Sequence, residues 1–123
     1  MTILVVDDEP FIQRSLSFVF KKEGYEVEVA RDGEEGLRKA RSLKPRIIFL
    51  DLMMPKMNGF NTCRAIKADP ELKDSYVIIL TAKGQEIDKE QGLREGADEF
   101  LTKPFSPKEI VARIRSILGE RNE

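Results

Sequence analysis

The stretch IIFLDLMMP, residues 47 to 55, places one acidic residue between two apolar runs. The first run, IIFL, shows no alternation of apolar and polar residues, which is typical of a strand covered on both faces of a sheet. A carboxylate in such surroundings must be paired with a cation, bound to a metal, hydrogen-bonded or protonated. The stretch therefore predicts a buried strand and raises the question of how the protein holds Asp51.

Strand and helix patterns alternate along the whole chain. Strands are predicted at ILVV (3–6), VEVA (27–30), IIFL (47–50), YVIIL (76–80) and EFL (99–101). Helical periodicity fills the gaps, over 10–23, from Asp32 to about 43, from Asn58 to about 69, over 84–95, and from Ser106 to Gly119. This order predicts an α/β fold with a parallel sheet, helices on both of its faces and right-handed crossovers.

Composition narrows the function classes. The 123 residues suit one domain, and a net charge of −1 gives no electrostatic reason for this domain to bind nucleic acid or a membrane. The single Cys63 excludes an internal disulfide, so we expect a cytoplasmic protein. The chain has no histidine, which excludes Ser-His-Asp and Cys-His catalysis and His-liganded zinc. Any metal must have oxygen ligands, as magnesium, calcium and manganese do.

Polar side chains follow the buried strands. Asp7 and Asp8 follow the first, Asp51 the third, Thr81 the fourth and Lys103 the fifth. In an open α/β sheet the carboxyl ends of the strands form the ligand-binding edge, so these residues are expected to converge. Three close carboxylates repel one another unless a cation intervenes, which predicts Mg²⁺. An aspartate nucleophile beside a metal and a lysine is suited to attack a phosphoryl group.

Each of these residues also has a structural interpretation when taken alone. Asp8 could cap the first helix, Asp51 could be a turn acid, and Thr81 could be an ordinary strand-end residue. Lys103 could be a solvated surface lysine. The joint placement at one end of each strand favours the functional interpretation.

Four motifs, VVDDE, FLDLMMPKMNG, ILTAKG and TKPFSP, make the chain similar to the receiver domain of two-component response regulators. The resemblance covers essentially all of residues 1–123 as one receiver domain. It implies a flavodoxin-like, doubly wound sheet of five parallel strands in the order 2-1-3-4-5, flanked by five helices.

The resemblance also implies a role for each residue of the site. Asp51 is the phosphoacceptor, and Thr81 and Lys103 contact phosphoryl oxygens. Mg²⁺, with Mn²⁺ as the alternative, is held by Asp51 and by three further residues: Asp8 directly, Asp7 mainly through water, and Met53 through its backbone carbonyl. The Lys103–Pro104 peptide is expected to be cis.

A conformational switch is implied by the same resemblance. Phe100 matches the aromatic position that turns inward when Thr81 is drawn to the phosphoryl group. Its other interpretation is a half-buried strand aromatic. The switch is expected to reshape an output face on the 84–95 helix, the fifth strand and the last helix: Lys89, Leu93, Asp98, Glu109, Ala112 and Arg113.

The implied phosphodonor is a sensor histidine kinase or a histidine phosphotransfer protein. The segment EGADEFLTKPFSPKEIVARI is most similar to regulators that carry a winged-helix DNA-binding domain, which dimerise through this output face. A phosphorylation-dependent homodimer is therefore expected, although Glu90 falls where an apolar residue is usual. We expect either a stand-alone receiver that acts by docking or a receiver excised from a DNA-binding regulator.

Three other functions are alternatives to a receiver. A haloacid-dehalogenase-type phosphatase also uses a strand-end aspartate with Mg²⁺, but it needs a second acid where this chain has Met53. A flavodoxin-like flavin binder needs a Ser/Thr/Gly-rich loop where this chain has acids at 7–9. A purely structural interaction domain remains an alternative if the site is vestigial.

Overall fold

A computed structural model describes residues 2–54, 57–82, 90 and 93–119 of the protein. Its strands and helices alternate as the sequence patterns predict. In chain order the elements are β1 (Thr2–Val6), α1 (Pro10–Lys22), β2 (Glu26–Ala30), α2 (Gly33–Leu43), β3 (Ile47–Asp51), α3 (Gly59–Ala68), β4 (Tyr76–Ala82), β5 (Glu99–Lys103) and α4 (Pro107–Ile117).

All five strands are parallel and lie in the order β2-β1-β3-β4-β5, which confirms the predicted flavodoxin-like sheet. Strand β2 lies on one side of β1, and β3, β4 and β5 follow on the other side. The strand order therefore reverses between β1 and β3, and the carboxyl ends of these two strands border the crevice at that point. Ligands of doubly wound folds bind at this crevice. The sheet therefore presents Asp7 and Asp51 at its binding edge.

Two apolar clusters cover the two faces of the sheet. Ile48 and Leu50 of β3 join α2 and α3 on one face. Ile47 and Phe49 join α1 and α4 on the other face. Since successive side chains of a strand point to opposite faces, a strand buried on both sides must be apolar throughout, which explains the unbroken run before Asp51.

The predicted helix caps agree with the structure. The side chains of Asp32, Asn58 and Ser106 accept the backbone N–H groups of the residues three positions on, which begins α2, α3 and α4. Helix α1 has Glu9 as its N-cap and no capping bond from a side chain. The interpretation of Asp8 as a helix cap is therefore wrong.

Two differences from the predicted element bounds concern the site and the output face. Strand β4 continues through Thr81 to Ala82, and β5 ends at Lys103, so both residues lie within strands rather than after them. Four helices are described rather than five, because most of the predicted 84–95 helix lies outside the described residues, although Glu90, Leu93 and Arg94 are helical. In the described part of the chain, we find no helix with the length and apolar character of a membrane span.

Candidate functional site: an acidic cluster with one lysine

The carboxyl ends of β1 and β3 bring three aspartates together. Asp7 follows β1 directly, Asp8 comes next, and Asp51 is the last residue of β3. One carboxylate oxygen from each of the three lies within 4.8 Å of the other two. Asp7 and Asp51 are buried, whereas Asp8 is exposed. Residues separated by more than 40 positions thus share one small acidic site.

Lys103 extends from the end of β5 into this site. Its Nζ donates to Asp7 Oδ2 at 3.0 Å and to Asp51 Oδ1 at 3.4 Å. It also donates to Glu9 Oε1 at 3.2 Å. The structure therefore adds Glu9 to the cluster. Glu9 is not among the site residues predicted from the sequence, although its place directly after the two aspartates was a signal that could have indicated it.

The backbone around Asp7 fixes that carboxylate. Asp7 is fully buried, and its Oδ1 accepts the backbone N–H of Glu9 at 2.9 Å. The Asp7 N–H donates to the carbonyl of Ala30 in the neighbouring β2, and the side-chain amide of Gln13 donates to the Asp7 carbonyl. Both ends of the residue are held, so its side chain is a rigid part of the site.

Burial and mutual repulsion shift the pKa values of the cluster. Burial raises the pKa of Asp51 to about 6, and the charge of Asp7 adds to the rise while Lys103 opposes it. Burial also raises the pKa of Asp7, against the hydrogen bonds from Glu9 N–H and Lys103. Burial alone would lower the pKa of Lys103, but Asp7 and Asp51 together raise it. The site therefore carries more negative charge than its lysine neutralises.

The donor set suits a hard divalent cation. An octahedral Mg²⁺ with oxygen ligands at about 2.1 Å holds those ligands about 3–4 Å apart, so oxygens within 4.8 Å need to close only slightly. A cation at this point would also relieve the repulsion that raises the pKa of Asp51. The residues present therefore fit Mg²⁺, and Mn²⁺ would accept the same ligands.

Comparison with known proteins identifies the family. Residues 3–115 match the family model described as the response regulator receiver domain. The chain belongs to the response regulator receiver domains. This receiver is similar to the DNA-binding response regulator MtrA of Mycolicibacterium smegmatis, with 45% identity over 98% of this chain and 51% of MtrA. The chain spans about half the length of the curated relatives it matches.

Solved structures agree on fold and family. Chemotaxis protein CheY4 of Vibrio cholerae superposes with a TM-score of 0.89 and 33% identity, over 94% of this chain and 97% of CheY4. The receiver domain of the sensor histidine kinase PA1611 from Pseudomonas aeruginosa PAO1 has a TM-score of 0.88 and 28% identity, over 97% of this chain and 98% of that domain. The PA1611 structure holds a magnesium ion in its active-site cleft.

The remaining predicted site residues of the receiver lie around the acidic cluster. Thr81 is buried near the end of β4, one position beyond Leu80, which pairs with Asp51. Met53 lies two residues after Asp51. Its side chain is exposed, so packing does not restrict which side chain stands there. The Lys103–Pro104 peptide is cis, as expected. The roles of these residues remain predictions.

Phe100 occupies β5 beside Ile79 of β4. It is half-buried and packs against the apolar cluster on the α2 and α3 face. This placement agrees with the simpler interpretation of Phe100 as a strand aromatic, and the switch remains a prediction.

The predicted output face is only partly free of contacts within the receiver. Leu93, Glu109 and Ala112 are exposed, and Lys89 lies outside the described residues. Asp98 Oδ2 accepts from Lys67 Nζ and from the Val77 N–H, each at 2.8 Å.

Arg113 on the same face also has partners in its own chain. Its guanidinium donates to both oxygens of Glu99, and Tyr76 Oη donates to Glu99 Oε1 at 2.8 Å. An ion pair between two copies that uses Arg113 or Asp98 must therefore share or replace these internal contacts.

Proposed function

We propose that this receiver domain accepts a phosphoryl group on Asp51, in a Mg²⁺-dependent reaction, from the phosphohistidine of a partner protein. The partner is a sensor histidine kinase or a histidine phosphotransfer protein, because this chain has no histidine of its own. The observation that carries the proposal is the convergence of three aspartate oxygens within 4.8 Å, with Lys103 in contact with two of the aspartates.

Asp51 acts as the nucleophile. One carboxylate oxygen forms a bond to phosphorus while the P–N bond of the phosphohistidine breaks, and the electron pair leaves on the imidazole nitrogen, which takes up a proton. The product is an acyl phosphate on Asp51. The carboxylate must be ionised to attack, so a pKa of about 6 in the metal-free site leaves it mostly competent at neutral pH.

The other residues neutralise and orient the transferred group. Lys103 already donates to Asp51, so its ammonium lies where phosphoryl oxygens would arrive. Thr81 is proposed to donate its hydroxyl to another phosphoryl oxygen. Bound Mg²⁺ would supply positive charge against the oxygens of the phosphoryl group. It would be held by Asp51, Asp8, Asp7 and the backbone carbonyl of Met53.

Phosphorylation is proposed to be a signal rather than a step of substrate turnover. The added dianionic group draws Thr81 toward it, Phe100 turns inward, and the output face changes shape. The reader of that face is a partner protein or a second phosphorylated copy. A structure with beryllofluoride bound tests the switch: Phe100 is expected to be more deeply buried than now, and an unchanged half-buried ring would count against it.

A second candidate is that this receiver works within a DNA-binding regulator. The similarity to MtrA, a DNA-binding response regulator of about twice this span, supports that context. The mass of the native protein, isolated from cells with an antibody against this domain, distinguishes a stand-alone receiver from a receiver within a longer DNA-binding regulator. An aspartate-nucleophile phosphatase is less well supported, since Met53 stands where that mechanism needs a second acid.

Intact mass spectrometry tests phosphorylation of Asp51. After incubation with acetyl phosphate and Mg²⁺, the wild type should gain one phosphoryl group, and EDTA should prevent the gain. Asp51→Asn should gain none, whereas Asp74→Asn, which changes an exposed aspartate, should behave as wild type. Equal labelling of wild type and Asp51→Asn would refute the assignment.

A further inference from the structure

The backbone of Asp51 and Leu52 packs closely against Gly59. Gly59 begins α3, and its N–H donates to the carbonyl of Leu52 at 3.0 Å. A methyl group placed on Gly59 would lie 2.7 Å from the Asp51 carbonyl oxygen and 2.9 Å from the Leu52 Cα. Backbone atoms cannot yield to such a contact as a flexible side chain can. The position of Gly59 therefore bears directly on that of Asp51.

Helix α2 closely approaches the residue two positions before Gly59. A methyl group on Gly33, the first residue of α2, would lie 2.3 Å from the carbonyl oxygen of Met57 and 2.3 Å from Thr62 Oγ1. No positive φ angle is recorded for Gly33, so the lack of space, and not the backbone conformation, calls for glycine here. Helix α2 thus touches the residues that lead directly to Gly59.

Thr62 completes this contact from α3. Its side chain is fully buried, and its hydroxyl donates to the Asn58 carbonyl at 2.8 Å, with the Met57 carbonyl at 3.5 Å. Asn58 in turn caps α3 by accepting the Asn61 N–H at 2.9 Å. The segment Met57 to Gly59 is therefore fixed by contact with Gly33, by the Thr62 hydroxyl and by its own cap.

We propose that Gly33 and Thr62 are positioning residues for Asp51, acting through the segment Met57 to Gly59. Neither residue belongs to the acidic cluster. A side chain at position 33 would push the Met57 carbonyl away by about 1 Å, from 2.3 Å to an ordinary contact distance. Because Gly59 follows Met57 closely in the chain and packs against the Asp51 backbone, it would transmit this displacement to Asp51. A displacement of that size exceeds the roughly 0.5 Å within which functional groups must be held. Mg²⁺ is especially sensitive, since it demands near-ideal octahedral geometry.

The inference rests on the proposed Mg²⁺ site and is tested by titrating the metal alone. Calorimetric titration of Mg²⁺ into Gly33→Ala at neutral pH should give a Kd raised roughly 10–100-fold over wild type, the range for loss of a residue that orients a ligand. The matched control is Ala40→Gly, which weakens the core on the same helix without adding a group near Met57. Its Tm should fall while its Mg²⁺ Kd stays within about twofold of wild type.

A second pair of variants keeps the test decisive if Gly33→Ala does not fold. Thr62→Val removes the hydroxyl that holds the Asn58 carbonyl, whereas Thr62→Ser retains it. The valine variant should bind Mg²⁺ at least several-fold more weakly than the serine variant.

Three results would each overturn this inference without touching the proposed function. They are a folded Gly33→Ala with wild-type Mg²⁺ affinity, an Ala40→Gly whose Mg²⁺ affinity is weakened as much as that of Gly33→Ala, and equal Mg²⁺ affinities of the two Thr62 variants. If the wild type binds no Mg²⁺, or if Asp51→Asn binds Mg²⁺ as tightly as the wild type does, the proposed function fails and this inference fails with it.

Discussion

Replacing Asp51 by Asn should stabilise the metal-free protein at neutral pH. The Asp51 side chain is only 10% exposed and lies beside Asp7 and Asp8, and its pKa is raised from 3.8 to about 6. The folded protein thus holds a proton that the unfolded chain releases between pH 3.8 and 6. The contribution of Asp51 to stability is fully present below pH 3.8 and is lost as the pH rises through 6. Above pH 6 the charge opposes folding.

The pKa shift sets the size of this effect. The rise in the pKa of Asp51 from 3.8 to about 6 corresponds to about 3 kcal/mol of unfolding free energy, since a tenfold change in an equilibrium constant is about 1.4 kcal/mol. Asparagine has nearly the same shape as aspartate, so packing should change little. We expect Asp51→Asn to gain about 1–3 kcal/mol of unfolding free energy at pH 7.5 in EDTA, because it removes the buried charge; the pKa of about 6 already includes the attraction of Lys103. The gain should fall toward zero by pH 4.

Urea unfolding followed by circular dichroism measures this difference. Wild type and Asp51→Asn are compared in EDTA at several pH values between 4 and 7.5, and equal m-values show that the change is one of stability. Asp74→Asn removes the same charge from an exposed position and should change stability by less than about 0.5 kcal/mol. Mg²⁺ at 100 times its Kd should stabilise wild type by about 2.7 kcal/mol and Asp51→Asn by less.

The reasoning fails if Asp51→Asn is less stable than wild type at pH 7.5 without metal. It also fails if the gain is the same at pH 4 and pH 7.5, because a titrating carboxylate cannot produce a pH-independent difference across its own pKa shift.

Three further predictions concern Lys103, Gly59 and Cys63. Lys103→Met leaves the buried Asp7 and Asp51 without their cation, so the free energy of unfolding without metal should fall by about 3 kcal/mol at pH 7.5 and by less at pH 4.5. A loss of stability that does not depend on pH would contradict the charge argument. Gly59→Ala sets a methyl group against the Asp51 and Leu52 backbone, and urea unfolding should show a loss of about 1–3 kcal/mol, whereas unchanged stability would mean that the backbone yields freely. Cys63 is fully buried, and burial raises the pKa of its thiol to about 11. The native protein at pH 8 should therefore react with a disulfide reagent at least about 100-fold more slowly than the protein unfolded in urea. Comparable rates would show that the thiol is accessible.

The local elements could be predicted from the sequence because their causes lie within a few residues. Unbroken apolar runs such as 47–50 identify strands that are covered on both faces. Asp32, Asn58 and Ser106 mark helix starts because a capping side chain bonds a backbone group three positions on. Polar residues at the strand ends indicated the acidic site, and the resemblance to receivers supplied the strand order.

The partners of the charged residues could not be predicted, because they depend on how distant segments meet. Glu9 contacts Lys103 across 94 positions. On the predicted output face, Asp98 and Arg113 have partners within their own chain, on α3 and β5.

Periodicity and capping are local effects, so the alternation of strands and helices, the helix caps and the residues available at the binding edge follow from the amino-acid order. Only the folded chain brings Glu9 to the cluster and α2 at Gly33 into contact with the segment that leads back to Asp51. These contacts depend on sheet order, register and the close approach of backbones, and a linear pattern encodes none of these distances.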